Sequence, residues 1–275
     1  MSKMELKEKV VVITGASSGI GMAMATEFAA EGAHLVLAAR NHPKLLEIAA
    51  QLKNTYGIQV IAVATDVTKE LQCQQLMNQA IATFGKIDVL INNAGISMRA
   101  IFEEVDLKVL AEVMDINFWG TVFCTKHALP ELLKSKGVLV GVSSIAGYKG
   151  LPGRTGYSAS KFAMQGFLES VRVENLYNGL SVLIACPGFT ASNIRSVARS
   201  KDGLPQGESP MNEKNIMQPA QVALQIVQAV KQRKRSLVLT FQGKLTVWLA
   251  KHFPALADQL IFNHFAKEPD SPLKK

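Results

Sequence analysis

Three observations predict an α/β protein built on a doubly wound parallel sheet. Short, nearly all-apolar runs alternate with longer stretches of helical periodicity from residue 10 onward. The apolar runs lack the in-and-out alternation of half-exposed strands, as expected where helices cover both faces of a parallel sheet. A glycine-rich turn, Thr14-Gly-Ala-Ser-Ser-Gly-Ile-Gly21, follows the first run directly. At 275 residues, 48% of them hydrophobic, the chain is long enough for one large core and short for two domains with a linker. The expectation is one domain with about seven strands and helices on both faces.

The elements follow in order. Residues 10–13 read as a strand and 22–30 as a helix; 35–39 is the second strand and 44–56 the second helix. The rhythm continues with a strand at 60–64, a helix over about 69–84, a strand at 89–91, a long helix from 107 ending near Asn117, and a strand at 138–142. A helix starting near Tyr157 leads to a strand at 181–186, which Pro187-Gly188 ends. Residues 190–216 lose periodicity and are rich in Ser, Gly, Pro, Asn and charge, so they read as a substrate lid loop over the carboxyl edge of the sheet. A helix at 219–231 and a strand at 237–239 complete the sheet, so that the sheet and its covering helices form one region over 1–240. Residues 241–275 are an amphipathic extension of the same domain.

The glycine turn suits a pyrophosphate. Gly15 permits the sharp turn, Gly19 lets backbone approach phosphate, and Gly21 lets the helix pack on the strand, while the helix N-terminal amides face the anion. Ser17 and Ser18 can add hydrogen bonds there. After the second strand, Arg40 stands where an acidic residue would hold a ribose 2′-hydroxyl; an arginine can instead pair with a 2′-phosphate, so NADP(H) is favoured over NAD(H). Asp66, after the third strand, either accepts from an adenine amino group or caps the following turn. In Asn92-Asn-Ala-Gly95, side-chain amides can tie strands together while Ala94 and Gly95 leave room for a flat adenosine.

Tyr157-Ser-Ala-Ser-Lys161 carries the chemistry. On a helix, a spacing of four puts phenol and ammonium on one face, within reach of one bound molecule. A free tyrosine has a pKa of about 10, so proton transfer near neutrality needs a nearby positive charge, which Lys161 is placed to supply. Ser144 lies upstream of this pair, and Asn117, a poor residue for a helix interior, suggests either a kink with a bound water near Lys161 or an ordinary helix end.

Together these motifs resemble the short-chain dehydrogenases/reductases over about residues 6–240, within a Rossmann fold. The resemblance implies that Ser144 polarises a substrate carbonyl, Tyr157 transfers the proton, Lys161 lowers the tyrosine pKa and binds nicotinamide ribose, and Asn117 holds a relay water. By the same matching Gly15, Ser17, Ser18, Gly19, Ile20, Gly21, Arg40, Asp66, Val67, Asn93, Ala94, Gly95, Pro187, Gly188 and Ser192 become cofactor contacts; Ser192 stands where the family usually has threonine. Ser144, Tyr148 and Phe189 are the substrate contacts, joined by Met98, Arg99, Phe102, Ala146 and Leu151; mostly apolar walls suggest a hydrophobic, lipid- or steroid-like ketone. An NAD-dependent alcohol dehydrogenase and a non-catalytic dinucleotide sensor are the alternatives, and the intact Ser144, Tyr157 and Lys161 argue against the sensor. The resemblance also implies a homodimer or homotetramer through the helices after Ala111 and Tyr157.

Composition narrows the rest. A net charge of +8 permits attraction to phosphates or anionic lipid without specifying either, and no stacking-aromatic module points to nucleic acid. Cys73, Cys124 and Cys186 are widely spaced and read as buried reduced thiols; neither they nor the five histidines show metal-ligand spacing. The polar N-terminus predicts a cytoplasmic enzyme. Residues 244–265 carry apolar and aromatic residues at helical spacing, interrupted by Pro254. They read as a helix packed on the core or on a partner subunit, with an interfacial helix on anionic lipid as the alternative. This segment weakly resembles the extensions of steroid- and lipid-handling members of the family.

Overall fold

A computed structural model describes residues 3–191, 194–207, 216–268 and 271–273. Among these residues seven parallel strands form one sheet in the order β3-β2-β1-β4-β5-β6-β7: β1 Val10–Thr14, β2 His34–Ala39, β3 Val60–Ala64, β4 Val89–Asn92, β5 Val138–Val142, β6 Ser181–Cys186 and β7 Ser236–Val238. The order reverses between β1 and β4, and ligands of such sheets bind in the crevice beyond the carboxyl ends at that reversal.

Alternate residues of each strand supply two separate cores. Val11 and Ile13 pack with Met24 and Phe28 of α1 (Gly19–Ala30), with α2 (His42–Tyr56), and with Val222 and Ile226 of α7 (Pro219–Lys231). Val10 and Val12 face the other side, with Leu76 of α3 (Glu70–Phe84), Cys124 of α5 (Gly120–Lys134) and Leu168 of α6 (Thr155–Glu174). Helices on both faces explain why the strands carry no polar alternation. All three cysteines are free and buried.

Most boundaries match the sequence reading within a few residues, with one correction. The helix expected to end near Asn117 continues. α4 (Leu107–Met114) passes through a π turn at Asp115–Trp119 into α5, and Gly120 N donates to Asp115 O, five residues back. One residue inserted into a helical turn widens it without ending it, and such insertions often mark functional sites. The last strand is Ser236–Val238, one residue earlier than expected.

The segment after β6 is paired rather than free-standing over its described part. Arg199 N donates to Ser97 O at 2.9 Å, Arg99 N to Arg199 O at 2.8 Å, and the Arg199 guanidinium grips both oxygens of Glu112 at 2.8 and 2.6 Å. At the C-terminus, Pro254 separates α8 (Phe241–His252) from α9 (Pro254–Ala266), as a residue that starts a helix but cannot continue one. This segment packs on the rest of the chain at few positions: Gly243 alone is buried in α8, and Ala257 and Phe265 in α9. Phe241, Leu245, Trp248, Phe253, Leu256, Leu260 and Phe262 are exposed. No helix among the described residues is long and apolar enough to cross a membrane.

Candidate active site

The glycine turn forms a cradle at the reversal of strand order. Gly15 has φ +65°, and a Cβ there would stand 2.9 Å from Ala94 Cα; a Cβ on Gly21 would collide with Gly15 O. Any larger residue would therefore push β1, α1 and the turn after β4 apart. Asn93 locks that turn: its Nδ2 donates to Thr14 O at 2.9 Å and Gly15 O at 3.3 Å, while Asn93 N and Ala94 N donate to Thr14 Oγ1. Ser18 is the N-cap residue of α1 and makes no side-chain cap. The first amides of α1 are thus left for an anion. Ser17 and Ile20 are half-buried in the same turn.

Arg40 and Asp66 meet in a cleft of about 320 Å³, lined also by Thr68, Lys108, Glu112 and Asp115. Arg40 is exposed on its rim. Asp66 Oδ1 accepts from Thr68 N at 3.0 Å and Thr68 Oγ1 at 2.9 Å, so this carboxylate caps its turn while lining the cleft. Val67 is buried against the backbone of Gly120. A clash-tight glycine cradle, uncapped helix amides and a cleft with a cation on its rim fit a dinucleotide.

The catalytic candidates converge at the carboxyl ends of β4 to β6. Ser144, just after β5, is half-buried and accepts from Ala146 N at 3.2 Å. Tyr157 lies in the first turn of α6, and Lys161 one turn on, 3% exposed, with its Nζ 5.8 Å from the Tyr157 ring centroid. Lys161 Nζ donates to Val142 O at 2.9 Å. Burial draws the Lys161 pKa down to about 8. Burial raises that of Tyr157, opposed by a hydrogen bond from Ser144 and by the charges of Arg154 and Arg195. Asn117, fully buried in the π turn, donates through Nδ2 to Ile96 O and Ser160 Oγ, both at 2.9 Å, and accepts from Ile96 N at 2.8 Å. Its carbonyl accepts from Thr121 Oγ1 at 2.9 Å. Asn117 thereby fastens the turn after β4 to α6. Gly95 lies against it: the position of a Cβ would be 3.0 Å from Asn117 Oδ1 and 3.5 Å from Lys161 Nζ.

The substrate side is less uniformly apolar than expected. Tyr148 has its pKa pushed up to about 12, by burial first and by the Cys186 thiol next to it. Pro187 is buried, Gly188 abuts Thr240, and Phe189 packs against His264 and Phe265 of α9. A second cleft of about 500 Å³ lies between Gly150, Leu151, Pro152, Thr155 and Ser158 on one wall and Asp258, Ile261 and Phe262 on the other. Met98 is buried, whereas Phe102 is largely exposed. Arg99 departs from an apolar wall, because it meets Glu268 together with Arg154. Ser192 lies outside the described residues.

The model of the short chain dehydrogenase family matches residues 9–203. The chain belongs to the short-chain dehydrogenases. Members of this family are oxidoreductases acting on CH–OH groups with NAD(P). It is 43% identical over 187 residues to the 11-beta-hydroxysteroid dehydrogenase A of Sesamum indicum, covering 68% of this chain and 53% of that one. The chain thus spans about half the length of that relative. It is 35% identical over 270 residues to dehydrogenase/reductase SDR family member 7B of Danio rerio, covering 96% and 87%. Among solved structures it is similar to a short-chain dehydrogenase/reductase of Burkholderia phymatum in complex with NAD, with a TM-score of 0.83, 27% identity and coverage of 92% and 96%. An alcohol dehydrogenase of Thermococcus sibiricus complexed with 5-hydroxy-NADP gives a TM-score of 0.75, 26% identity and coverage of 84% and 95%. Both neighbours share the parallel-sheet fold that forms the cradle described above.

Sequence reasoning missed three contributors. Arg154, one turn before Tyr157, had a readable signal in that spacing. Gln165, which donates to Ser143 Oγ at 2.9 Å behind Lys161, had a weaker one, lying one turn beyond the lysine. Glu268 had none, since nothing local places a tail carboxylate beside a helix start more than a hundred residues earlier.

Proposed function

We propose that this chain interconverts a carbonyl and a secondary alcohol with NADP(H), working chiefly as a reductase of a hydrophobic ketone. The observation that carries the reading is the convergence of Ser144, Tyr157 and Lys161 beyond the strand ends, beside the glycine cradle at the sheet's reversal. Gly15, Gly19, Gly21, Asn93, Ala94 and Gly95 would hold the dinucleotide, with Arg40 at its 2′-phosphate, Asp66 at the adenine, and Pro187, Gly188 and Lys161 toward the nicotinamide end. When bound, that cofactor supplies or accepts the hydride.

The chain's own groups do the remainder. Ser144 Oγ hydrogen-bonds the substrate oxygen and stabilises charge as it develops there. Tyr157 Oη gives its proton to that oxygen during reduction and takes it back during oxidation. Lys161, charged below about pH 8, favours the phenolate that remains. Asn117 keeps α6 in register with the turn after β4, where the reaction space lies.

The hydrophobic substrate is supported by the cleft between Leu151, Pro152 and α9, and the lid reading of residues 190–216 by the pairing of Arg199 with Ser97 and Arg99. Exposed Trp119 and Phe162, with ring contacts among Phe118, Trp119, Phe123 and Phe167, support self-association through α5 and α6. The exposed aromatic residues of α8 and α9, interleaved with Lys244, Lys251 and His252, support contact with an anionic membrane surface.

The test is NADPH and NADH oxidation with a panel of apolar ketones, for wild type, Arg40→Ala and Tyr157→Phe. The expected result is NADPH preference that Arg40→Ala removes, and a loss of kcat of about 10²–10⁴ in Tyr157→Phe with dinucleotide affinity unchanged. Equal use of both cofactors sinks the Arg40 assignment; an active Tyr157→Phe sinks the mechanism.

A further inference from the structure

One buried carboxylate ties the catalytic end of α6 to the end of the chain. Glu268, two residues past α9, is 7% exposed and accepts from Arg99 Nη2 at 3.3 Å and from Arg154 Nη2 at 3.3 and 3.4 Å. The two arginine side chains are 9% and 11% exposed. The Arg154 guanidinium also lies over the Phe265 ring, 4.4 Å from its centroid, and Phe265 and His264 pack on Phe189. The Glu268 carboxylate and the two guanidiniums are nearly out of water, where fields are weakly screened. Arg154 precedes Tyr157 by one helical turn, and the fields of the two groups reach each other. Lys161, by contrast, has its ammonium turned to Val142 O.

We propose that Glu268 is a positioning residue for the reaction: it clasps the C-terminal segment to Arg99 and Arg154, holds the Arg154 guanidinium beside Tyr157, and offsets part of its charge there. The inference rests on Tyr157 being the proton donor. Tyr157 is also faced by Ser144, by Lys161 on its own helix, by Cys186 at the end of β6 with Tyr148 beside that thiol, and by Arg195 from the segment after β6. Glu268 is faced by Arg99 and Arg154, with His264 one turn back on α9.

The signs follow from Coulomb's law. A cation favours phenolate, so neutralising Glu268 leaves the Arg154 charge less offset and pulls the Tyr157 titration to lower pH, while neutralising Arg154 pushes it to higher pH. The experiment measures phenolate absorbance against pH, as each protein minus its Tyr157→Phe counterpart, together with the alkaline limb of kcat/KM for reduction. It uses the full chain bearing Glu268→Gln, Glu268→Asp, Arg154→Gln, or Glu268→Gln with Arg154→Gln. Expected are a downward shift of about half to one pH unit in Glu268→Gln, an upward shift in Arg154→Gln, the double variant between them, and Glu268→Asp near wild type. A fall in rate with unmoved titrations, or shifts of the same sign in both single variants, overturns the proposal and leaves the clasp merely structural. If Glu268→Gln does not fold, the Arg154→Gln and double variants still read the sign, since neither leaves the Arg154 guanidinium without Glu268. Tyr157→Phe separates the two readings. Residual activity in it removes the proton donor, whereas an inactive Tyr157→Phe with unmoved titrations removes only the role of Glu268.

Discussion

Burial pulls the two central ionisable side chains in opposite directions, Tyr157 upward and Lys161 down to about 8, because each is pushed toward its neutral form. For Lys161 the consequence is a stability that depends on pH. An unfolded lysine keeps its proton to about pH 10.4, whereas the folded one releases it near 8. Between those values the unfolded state binds more protons, so the lysine's contribution to stability rises with pH and is unfavourable below about 8. Cys186 and Tyr148, both raised to about 12, act in the opposite sense at alkaline pH but are common to wild type and variant. Denaturant unfolding of wild type and Lys161→Met from pH 7 to 10.5 should therefore show the stability difference, wild type minus variant, rising by an amount on the order of 3 kcal/mol. A flat difference would mean that Lys161 is as easily protonated as a surface lysine. At this scale the sequence was legible wherever a spacing of four or a turn composition fixed the neighbours, as for Tyr157 with Lys161 and Gly15 with Gly21. It put Arg99 on the substrate wall and was silent on its pairing with Glu268, which comes from the other end of the chain.

At the scale of the element, the π turn matters most. Asn117 hides its whole side chain in bonds to Ile96 and Ser160, so Asn117→Ala would leave a buried N–H and C=O of Ile96 without their partner. A loss of about 2–4 kcal/mol is expected from unpaired buried groups, read as a lower unfolding midpoint, with kcat falling as the turn after β4 and α6 lose register. A variant as stable as wild type would show that Ile96 finds other donors and acceptors. The sequence flagged Asn117 as misplaced in a helix and offered a kink or a helix end there; the π turn shows the helix bent open and continuing. Local propensity registers the cost of asparagine, whereas continuation into α5 depends on packing of Cys124, Ala128 and Leu132 into the core.

For the whole molecule, two exposed apolar surfaces stand out among the described residues, one around Trp119 of the π turn and Phe162 of α6 and one on α8 and α9. Self-association through the first predicts that Trp119→Asp with Phe162→Asp lowers the mass found by sedimentation while leaving the fold intact by circular dichroism. Membrane contact through the second predicts binding to vesicles rich in anionic lipid that weakens with added salt and is reduced by Trp248→Asp with Phe253→Asp. Sedimentation unchanged by the first pair, or vesicle binding indifferent to the second, would move each contact elsewhere. That the C-terminal helices leave most of their apolar residues exposed was not legible in their amphipathic pattern. Periodicity identifies a face that needs covering and says nothing about what covers it.

The sequence by itself determined the sheet, its parallel sense, the cradle and the Tyr157 and Lys161 pair. These depend on apolar period, glycine sterics and helical spacing, all of which act over a few residues. The tertiary structure alone decided that α4 runs on into α5 through Asn117, that the C-terminal helices keep most of their apolar residues exposed, and that Glu268 reaches Arg99 and Arg154. Each depends on contacts between segments far apart in the chain, whose geometry is set only when both cores close around the sheet.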